Sequence, residues 1–267
     1  MTKVASNDPQ FELDRVPDAV AFSPDGRSLL STSTFLGTKP LKVMDTDGTH
    51  ERVIFDSSAS KVGIVSPAWS PDGQYIAFTM GRMGLRNPNN AAQLALIRAD
   101  GSGLKVLTDG PNHSGFPSFS PDGQRLVYRV LGTEEGLRIL NLADGKITHL
   151  TDGHDNFPVW SPTGDRIVFT SYRTGNFEIY TIRPDGKDLR QLTRDGGNDA
   201  HAAWSPDGRS LLFTTSRTGW KDEAALYPDA QSYGELAIMR ADGTHVRQLT
   251  DNQWEDAGMA WLPPAAP

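Results

Sequence analysis

The chain has 267 residues, a formal net charge of −7 and no cysteine. An acidic chain lacks the basic face that phosphate contacts need, which argues against a nucleic-acid partner and favours a soluble protein. Without cysteine there is neither a disulfide nor a thiolate metal site, as in proteins of a reducing compartment. No apolar run approaches the ~20 residues of a membrane span, and residues 1–15 lack the apolar core of a signal peptide. We therefore expect a cytoplasmic protein, or a periplasmic or secreted one if its N-terminus was trimmed.

One short phrase recurs along the chain and carries most of the information. Its commonest form is aromatic-Ser-Pro-Asp-Gly, and its last copy is shortened to Trp-Leu-Pro. The aromatic residue of the phrase stands at Phe22, Trp69, Phe119, Trp160, Trp204 and Trp261. A repeat of this length, built from short β-type segments, is typical of a β-propeller with one four-stranded antiparallel blade per repeat.

Each repeat predicts the same four strands in chain order. The inner strand ends at the aromatic, Ser-Pro-Asp-Gly turns the chain, and a second strand rich in β-branched and aromatic residues follows. A longer loop leads to the third strand, an Asp-Gly hairpin follows, and the outer strand ends in Leu-Thr-Asp or a relative of it. We predict second strands at 28–33, 75–80, 125–130, 166–171 and 210–215, and third strands at 41–45, 93–98, 136–141, 177–182 and 234–240. The six aromatics are expected to pack between neighbouring blades.

The predicted strands do not divide into whole blades. There are six inner strands, but only five sets of second, third and outer strands. We expect a six-bladed propeller over residues 17–267 with an incomplete sixth blade at Ala257–Trp261. Residues 1–16, near Phe11–Arg15, would supply its closing strand. Two alternatives remain open: five blades with an extra docked strand, or a fragment or assembly unit. In the last case an open sheet edge would pair with a second copy and give a homo-oligomer.

These motifs resemble the TolB-like β-propeller family over residues 17–263. The resemblance rests on the repeated W/F-S-P-D-G turn, the I/L-x-F/Y strand after it, the D-G hairpin and the closing L-T-D. It implies the propeller fold and leaves the activity open. Related propellers cap peptidases of the prolyl-oligopeptidase type, but the G-x-S-x-G nucleophile motif of those enzymes is absent from this sequence. Related oligogalacturonate lyases use histidines and a divalent metal in the central funnel.

Polar residues near the inner strands define the candidate site. In an antiparallel meander, the Ser-Pro-Asp-Gly and Asp-Gly turns share one face, and the linkers between blades lie on the other, around the funnel mouth. The polar residues expected at this mouth are His113, His154, Asp155, Asp199, His201, Glu255 and Asp256. Imidazole with carboxylate suits Mn²⁺, Zn²⁺ or acid–base chemistry, so His113, His154 and His201 are the candidate metal ligands. The alternative is that these side chains only cap strand ends and loops.

Two long loops, residues 81–92 and 216–233, overhang the same face and are longer than an ordinary hairpin connection. The second carries Trp220 and Tyr227 beside charged residues. A flat apolar surface with directional polar groups is what a sugar or peptide site requires, so we expect Trp220 to contact the ligand. Arginine recurs at equivalent loop positions, where we expect it to tie one loop to its neighbour: Arg82, Arg173 and Arg217.

The sequence therefore favours a non-catalytic binding propeller for a protein or a saccharide at the funnel mouth. One alternative is a metal-assisted lyase or hydrolase acting on an acidic saccharide. The other is a structural assembly unit that uses the unfinished blade.

Overall fold

A computed structural model describes residues 20–32, 40–57, 62–81, 91–218, 234–251 and 260–261. Within these ranges the chain forms five four-stranded sheets. Each sheet is an antiparallel meander, in which strands adjacent in sequence are adjacent in space. The prediction of an all-β propeller with four-stranded blades is therefore confirmed. No helix in the described ranges is long and apolar enough to cross a membrane.

The strands follow the repeat closely. Blade 1 comprises β1 (Val20–Phe22), β2 (Ser28–Ser31), β3 (Leu41–Asp45) and β4 (Arg52–Phe55). Blade 2 comprises β5 (Ile64–Trp69), β6 (Tyr75–Met80), β7 (Gln93–Arg98) and β8 (Lys105–Val106). Blade 3 comprises β9 (His113–Phe119), β10 (Arg125–Leu131), β11 (Gly136–Asn141) and β12 (Ile147–His149). Blade 4 comprises β13 (Asp155–Trp160), β14 (Ile167–Ser171), β15 (Glu178–Ile182) and β16 (Arg190–Gln191). Blade 5 comprises β17 (Asp199–Trp204), β18 (Ser210–Thr215), β19 (Glu235–Arg240) and β20 (Arg247–Gln248).

The Ser-Pro-Asp-Gly turns form one face of the molecule, called here the turn face. In blade 1, Ser23 Oγ donates to Asp25 Oδ1 at 2.6 Å, and the same oxygen accepts the Arg27 N–H at 3.1 Å. The serine hydroxyl holds the pKa of Asp25 below its ordinary value. The same bonds recur at Ser70 with Asp72, Ser120 with Asp122, and Ser205 with Asp207.

Successive turns also contact one another around this face. A Cβ placed on Gly73 would lie 3.9 Å from Pro24 of the preceding turn, and one on Gly208 would lie 3.8 Å from Pro162. Both glycines have a φ of 69°, which the tight turn requires and which glycine adopts without strain. The turn face is thus a series of near-identical turns, each in contact with the one before it.

The recurring aromatics pack between blades, as predicted. Trp69 Nε1 donates to the carbonyl of Ala21 at 3.2 Å, which joins blade 2 to blade 1. Trp204 Nε1 donates to the carbonyl of Val159 at 3.2 Å, which joins blade 5 to blade 4. Trp160 is buried between blades 3 and 4, where its Nε1 has no hydrogen-bond partner and the Arg125 guanidinium lies 4.7 Å from its ring centroid.

In blades 2 to 5 a threonine that follows the outer strand binds the third strand of the same blade. Thr193 Oγ1 accepts the N–H of Ile179 and donates to Glu178, and Thr250 does the same with Leu236 and Glu235. The conspicuous Leu-Thr-Asp motif is therefore explained by strand pairing within a blade.

The sixth aromatic docks as Trp69 and Trp204 do, because Trp261 Nε1 donates to the carbonyl of Ala203 in blade 5 at 3.1 Å. Five complete blades are described, which agrees with the five-bladed alternative, and a six-bladed ring is not confirmed. The segment Phe11–Arg15 and residues 252–259, which bear on how the ring closes, lie outside the described residues. Closure by the N-terminal segment stays a prediction.

Candidate functional site

Within the described residues, four inner strands are distorted at one equivalent point. The residue three positions before the inner-strand aromatic is not glycine, yet it has a positive φ in each case: Ser66 (52°), Phe116 (56°), Phe157 (49°) and His201 (54°). The pairing between first and second strands shifts register at the same place in these blades. We call these four positions the bulge residues.

The distortion is energetically unfavourable and recurs nonetheless. A non-glycine residue in the left-handed region costs on the order of 1–3 kcal/mol and persists only where its surroundings enforce it. In three of the four blades a proline follows the bulge residue, which restricts the backbone further. Such outliers are concentrated at functional sites, so the bulge deserves a functional explanation.

Three bulge side chains touch in succession across three blades. The ring centroids of Phe116 and Phe157 lie 4.6 Å apart, and those of Phe157 and His201 lie 4.0 Å apart. The inner strand of each blade is the one nearest the propeller axis, so the contacts between these side chains lie on the axis side of the blades. Phe116 is buried, whereas Phe157 and His201 are half-buried. These three residues, called here the aromatic arc, thus form a partly exposed aromatic wall beside the propeller axis, on the side called here the channel.

His201 contributes a neutral polar edge to this wall. Burial lowers the pKa of its imidazole from 6.5 to about 4, so the ring is uncharged at neutral pH. Its Nδ1 lies 3.4 Å from the Thr214 hydroxyl, and its backbone N–H donates to Thr170 Oγ1 at 3.2 Å. A neutral imidazole in an apolar wall can form hydrogen bonds without carrying charge.

A threonine of the preceding blade normally binds the backbone of the bulge. Thr79 Oγ1 accepts the Phe116 N–H at 3.0 Å, as Thr170 does for His201. The pairing register puts Arg129 at the equivalent position in blade 3. Because a guanidinium cannot accept a hydrogen bond, the Phe157 N–H donates instead to Asn156 Oδ1 at 3.0 Å.

The predicted ligands Asp155 and Asp199 are both engaged within their own blades. Arg173 Nη2 lies 2.9 and 2.8 Å from the two oxygens of the buried Asp155 carboxylate. Arg217 Nη2 lies 2.8 Å from Asp199 Oδ2. The structural role expected of these loop arginines is confirmed, although each ties its loop to the inner strand of the same blade. The third of them, Arg82, lies outside the described residues.

An acidic triad lies beside Arg217. Single oxygens of Glu178, Asp195 and Asp199 lie within 4.8 Å of one another, a spacing that could hold a cation. Burial raises the pKa of Asp199, opposed by the Thr215 hydroxyl and by the charge of Arg217. Arg217 Nη2 also lies 2.7 Å from Asp195 Oδ2, so a guanidinium already stands between two of the three carboxylates. We therefore interpret the triad as an ion-pair network that anchors the loop.

The three predicted metal-ligand histidines have separate surroundings. His113 is buried, and its Nδ1 accepts the Ala92 N–H at 3.0 Å, which leaves the ring proton on Nε2 and no lone pair for a metal. His154 is half-exposed, with its Nδ1 3.6 Å from Glu135 Oε2. In the described part of the chain, these imidazoles are not among the groups whose ligand atoms lie within 4.8 Å of one another. They therefore do not fit a three-histidine manganese or zinc site. The remaining predicted ligand-binding residues lie outside the described ranges: Trp220, Glu255 and Asp256.

The sequence predicted His201 as a site residue, but it did not predict the other three bulge residues or Arg129. The bulge has a visible signal, because a bulky or polar residue followed by proline recurs at Ser66-Pro67, Phe116-Pro117 and Phe157-Pro158. Arg129 is visible only once the second strands are aligned, where it replaces a threonine.

Comparison with known proteins agrees with this fold. Residues 85–228 match the family model of the TolB β-propeller domain. A TolB homologue from Chlorobium luteolum is 30% identical over 181 residues, which is 66% of this chain and 40% of that protein. The chain thus spans less than half the length of that relative.

Solved structures share the architecture at low identity. A protein provisionally named TolB from Agrobacterium tumefaciens superposes with a TM-score of 0.72 at 23% identity, over 90% of this chain and 82% of that one. An oligogalacturonate lyase in complex with manganese superposes with a TM-score of 0.62 at 16% identity, over 86% of this chain and 63% of that one. At these identities the likeness shows the fold alone.

Proposed function

Given that the chain belongs to the TolB β-propeller domain family, we propose that it is a non-catalytic binding module whose ligand, a saccharide or a protein segment, contacts the aromatic arc at the channel mouth. The observation that carries this proposal is the repeated positive-φ bulge, which turns Phe116, Phe157 and His201 toward one another.

The arrangement has a cost in backbone conformation and in strand pairing. Each bulge breaks strand pairing and strains a non-glycine residue, and a regular inner strand would avoid both costs. The result is a half-exposed apolar wall with a neutral imidazole at one end. Flat apolar surface beside a few directional polar groups suits the face of a sugar ring or an apolar peptide side chain. Loops and strand ends at one mouth of a rigid scaffold are also where binding is commonly found.

Blade 2 supplies a mild variant to test the proposal, because Ser66 occupies the bulge position there with a φ of 52°. We expect Phe157→Ser to keep the fold while removing the centre of the arc. Wild type and variant would be applied to arrays of neutral and acidic oligosaccharides and of peptides. The matched control is Arg125→Ser on the turn face, a substitution that copies Ser210 at the equivalent position of blade 5.

The proposal expects at least one array ligand whose binding falls tenfold or more in Phe157→Ser and stays unchanged in Arg125→Ser. If every ligand binds the Phe157→Ser variant as it binds the wild type, the arc is not the binding surface and the proposal fails.

Metal-assisted cleavage of an acidic saccharide remains a second prediction, and its support is the likeness to a manganese-bound lyase. His113, His154 and His201 do not supply a common metal site for it. The binding proposal expects no stoichiometric manganese or zinc in protein purified without chelator and without a nickel column. A full equivalent of either metal would favour the lyase. Assembly through an unfinished blade, and the cytoplasmic or periplasmic location, stay predictions as well.

A further inference from the structure

We propose that Arg129 is an anchor for a carboxylate group of the ligand. This inference rests on the proposed function, to which it adds the chemical class of the group that enters the channel.

The backbone directs Arg129 toward the channel. Arg129 pairs with Gly115 on one side and Leu137 on the other, in the register that Thr79 has with Val65 and Leu94. In blades 2 and 4 the side chain at this position reaches the bulge of the next blade, as the bonds of Thr79 to Phe116 and of Thr170 to His201 show. Arg129 therefore extends from blade 3 toward the Phe157 bulge of blade 4, with a side chain several atoms longer than threonine.

The guanidinium of Arg129 has no close partner among the described residues. It is half-buried, and burial lowers its pKa. Glu135 and Asp155 attract it, yet within the described ranges no acceptor lies at hydrogen-bonding distance and no carboxylate within 4.0 Å. The Asp155 carboxylate is bound by Arg173, and Glu135 lies 3.6 Å from His154 Nδ1. Asp155 is thus already engaged, whereas Glu135 makes only this long contact with His154.

Arg138 shows how a structural arginine is satisfied in the same blade. It is buried, and its guanidinium donates to the carbonyls of Leu137, Thr151 and Glu134 at 3.0 to 3.1 Å. A half-buried guanidinium with five N–H donors and no protein acceptor depends on water or on a ligand for its hydrogen bonds. Replacing threonine by arginine also removes the acceptor for the Phe157 N–H, so a purely structural role would favour threonine.

A carboxylate fits this position better than a phosphate does. The planar guanidinium matches the two carboxylate oxygens in a bidentate pair. The negative charges of Glu135 and Asp155 nearby disfavour a doubly charged anion more than a singly charged one. The adjoining aromatic arc would contact the apolar body that carries the carboxylate. A uronic-acid residue and the C-terminus of a peptide both present this chemistry.

The test uses three carboxylate probes and two substitutions at one site. The probes are benzoate, digalacturonate and the tripeptide Gly-Gly-Phe, with the C-terminal amide of the tripeptide as a neutral comparison. Arg129→Thr restores the residue found at Thr79, Thr170 and Thr214, so it is expected to fold and to regain the bond to the Phe157 N–H. Arg129→Gln removes the charge with less change of shape. Arg125→Ser controls for the loss of one positive charge elsewhere.

We expect benzoate to bind the wild type in the millimolar range by NMR titration, and to bind both Arg129 variants at least tenfold more weakly while Arg125→Ser is unaffected. If digalacturonate binds ten times more tightly than Gly-Gly-Phe, the natural carboxylate belongs to an acidic saccharide. If Gly-Gly-Phe binds ten times more tightly and its C-terminal amide does not bind, the natural carboxylate is the C-terminus of a peptide. The proposal is overturned if no carboxylate binds at 50 mM, or if binding survives Arg129→Thr. If benzoate still binds Arg129→Thr but no longer binds Phe157→Ser, Arg129 is not the anchor, and the proposed function is still supported.

Discussion

The two faces of the propeller follow opposite rules. On the turn face, each blade repeats one hydrogen-bond pattern, and blade 4 preserves it even where its sequence departs from the repeat. Thr163 replaces the usual aspartate there, and Asp165 takes over the bonds from Ser161 and Thr163. At the channel, blades 2 to 5 keep one strained backbone conformation while the side chain it presents changes from Ser66 to Phe116, Phe157 and His201.

This difference separates what maintains the fold from what is available for recognition. The hydrogen bonds of the turn face are kept even where the sequence changes, which indicates a structural role. The strained bulge is also kept, but its side chain differs from blade to blade, so each blade presents a different chemical group at the same position. Each prediction below tests whether a change at one face affects stability, binding or both.

The largest loss of stability is expected from a substitution between two blades. Trp204 is buried between blades 4 and 5, and Trp204→Ala removes both its ring and its bond to Val159. Truncation of a buried aromatic costs about 3–5 kcal/mol. Urea unfolding would measure the loss. Trp204→Phe, which copies Phe119 of blade 3, should recover most of it, and an equal loss in both variants would contradict a packing role.

The next effect concerns the loop anchor beside the channel. Arg217→Ala leaves Asp195 and Asp199 without their shared cation, and we expect a loss of about 2 kcal/mol, since the arginine is partly exposed. The raised pKa of Asp199 means that the folded state retains its proton at a pH where the unfolded state releases it. The wild-type protein should therefore lose stability as the pH rises from 3.8 towards 7. Because the loss of Arg217 raises the pKa of Asp199 further, the penalty of Arg217→Ala should grow as the pH rises through about 7.

Arg173→Ala is the matched comparison, because it exposes one carboxylate, Asp155, rather than two. Thermal melts of both variants at pH 5 and pH 8 would show the difference. A penalty for Arg217→Ala that shrinks with rising pH would contradict the assignment of charge.

A smaller effect is expected on the turn face. Ser205 Oγ donates to Asp207 and accepts the Ser210 N–H, so Ser205→Ala should cost about 1 kcal/mol, the usual net worth of a hydrogen bond. Benzoate affinity should not change. A weaker affinity with unchanged stability would mean that the turn face takes part in binding.

The smallest effect is a pH dependence at the channel. The pKa of His201 is lowered to about 4, so the unfolded state takes up a proton below pH 6.5 before the folded state does, and stability falls as the pH is lowered from 6.5 towards 4. His201→Phe copies Phe116 and Phe157 and should remove this part of the acid sensitivity. Melting temperatures of both proteins at pH 7.5 and pH 5 would test it, and an unchanged difference would place the sensitivity elsewhere.

The sequence predicts the fold well because its signals are local and repeated. Ser-Pro-Asp-Gly specifies a turn wherever it occurs, and the second and third strands lie within two residues of their predicted bounds. Trp261 was likewise correctly read as a packing residue, since its bond to Ala203 repeats those of Trp69 and Trp204.

The site is less predictable because its properties depend on contacts between blades. Counting positions placed Asp155 and Asp199 at the starts of their inner strands, but only the structure shows that Arg173 and Arg217 occupy their carboxylates. The exposed edge of Phe157 depends on a backbone distortion that residue type does not announce. Arg129 points to a ligand because its guanidinium has no hydrogen-bond acceptor among the described residues, and a sequence alone does not show this.

NMR of the histidine side chains tests most directly whether a ligand binds at the channel or at the turn face, because the chain has histidines at both places. His50 and His245 follow the Asp-Gly hairpins of the turn face, and His201 is part of the aromatic arc. Titration with benzoate should shift the imidazole signals of His201 and leave those of His50 and His245 in place. Shifts at His50 or His245 with His201 unmoved would contradict the assignment of binding to the channel.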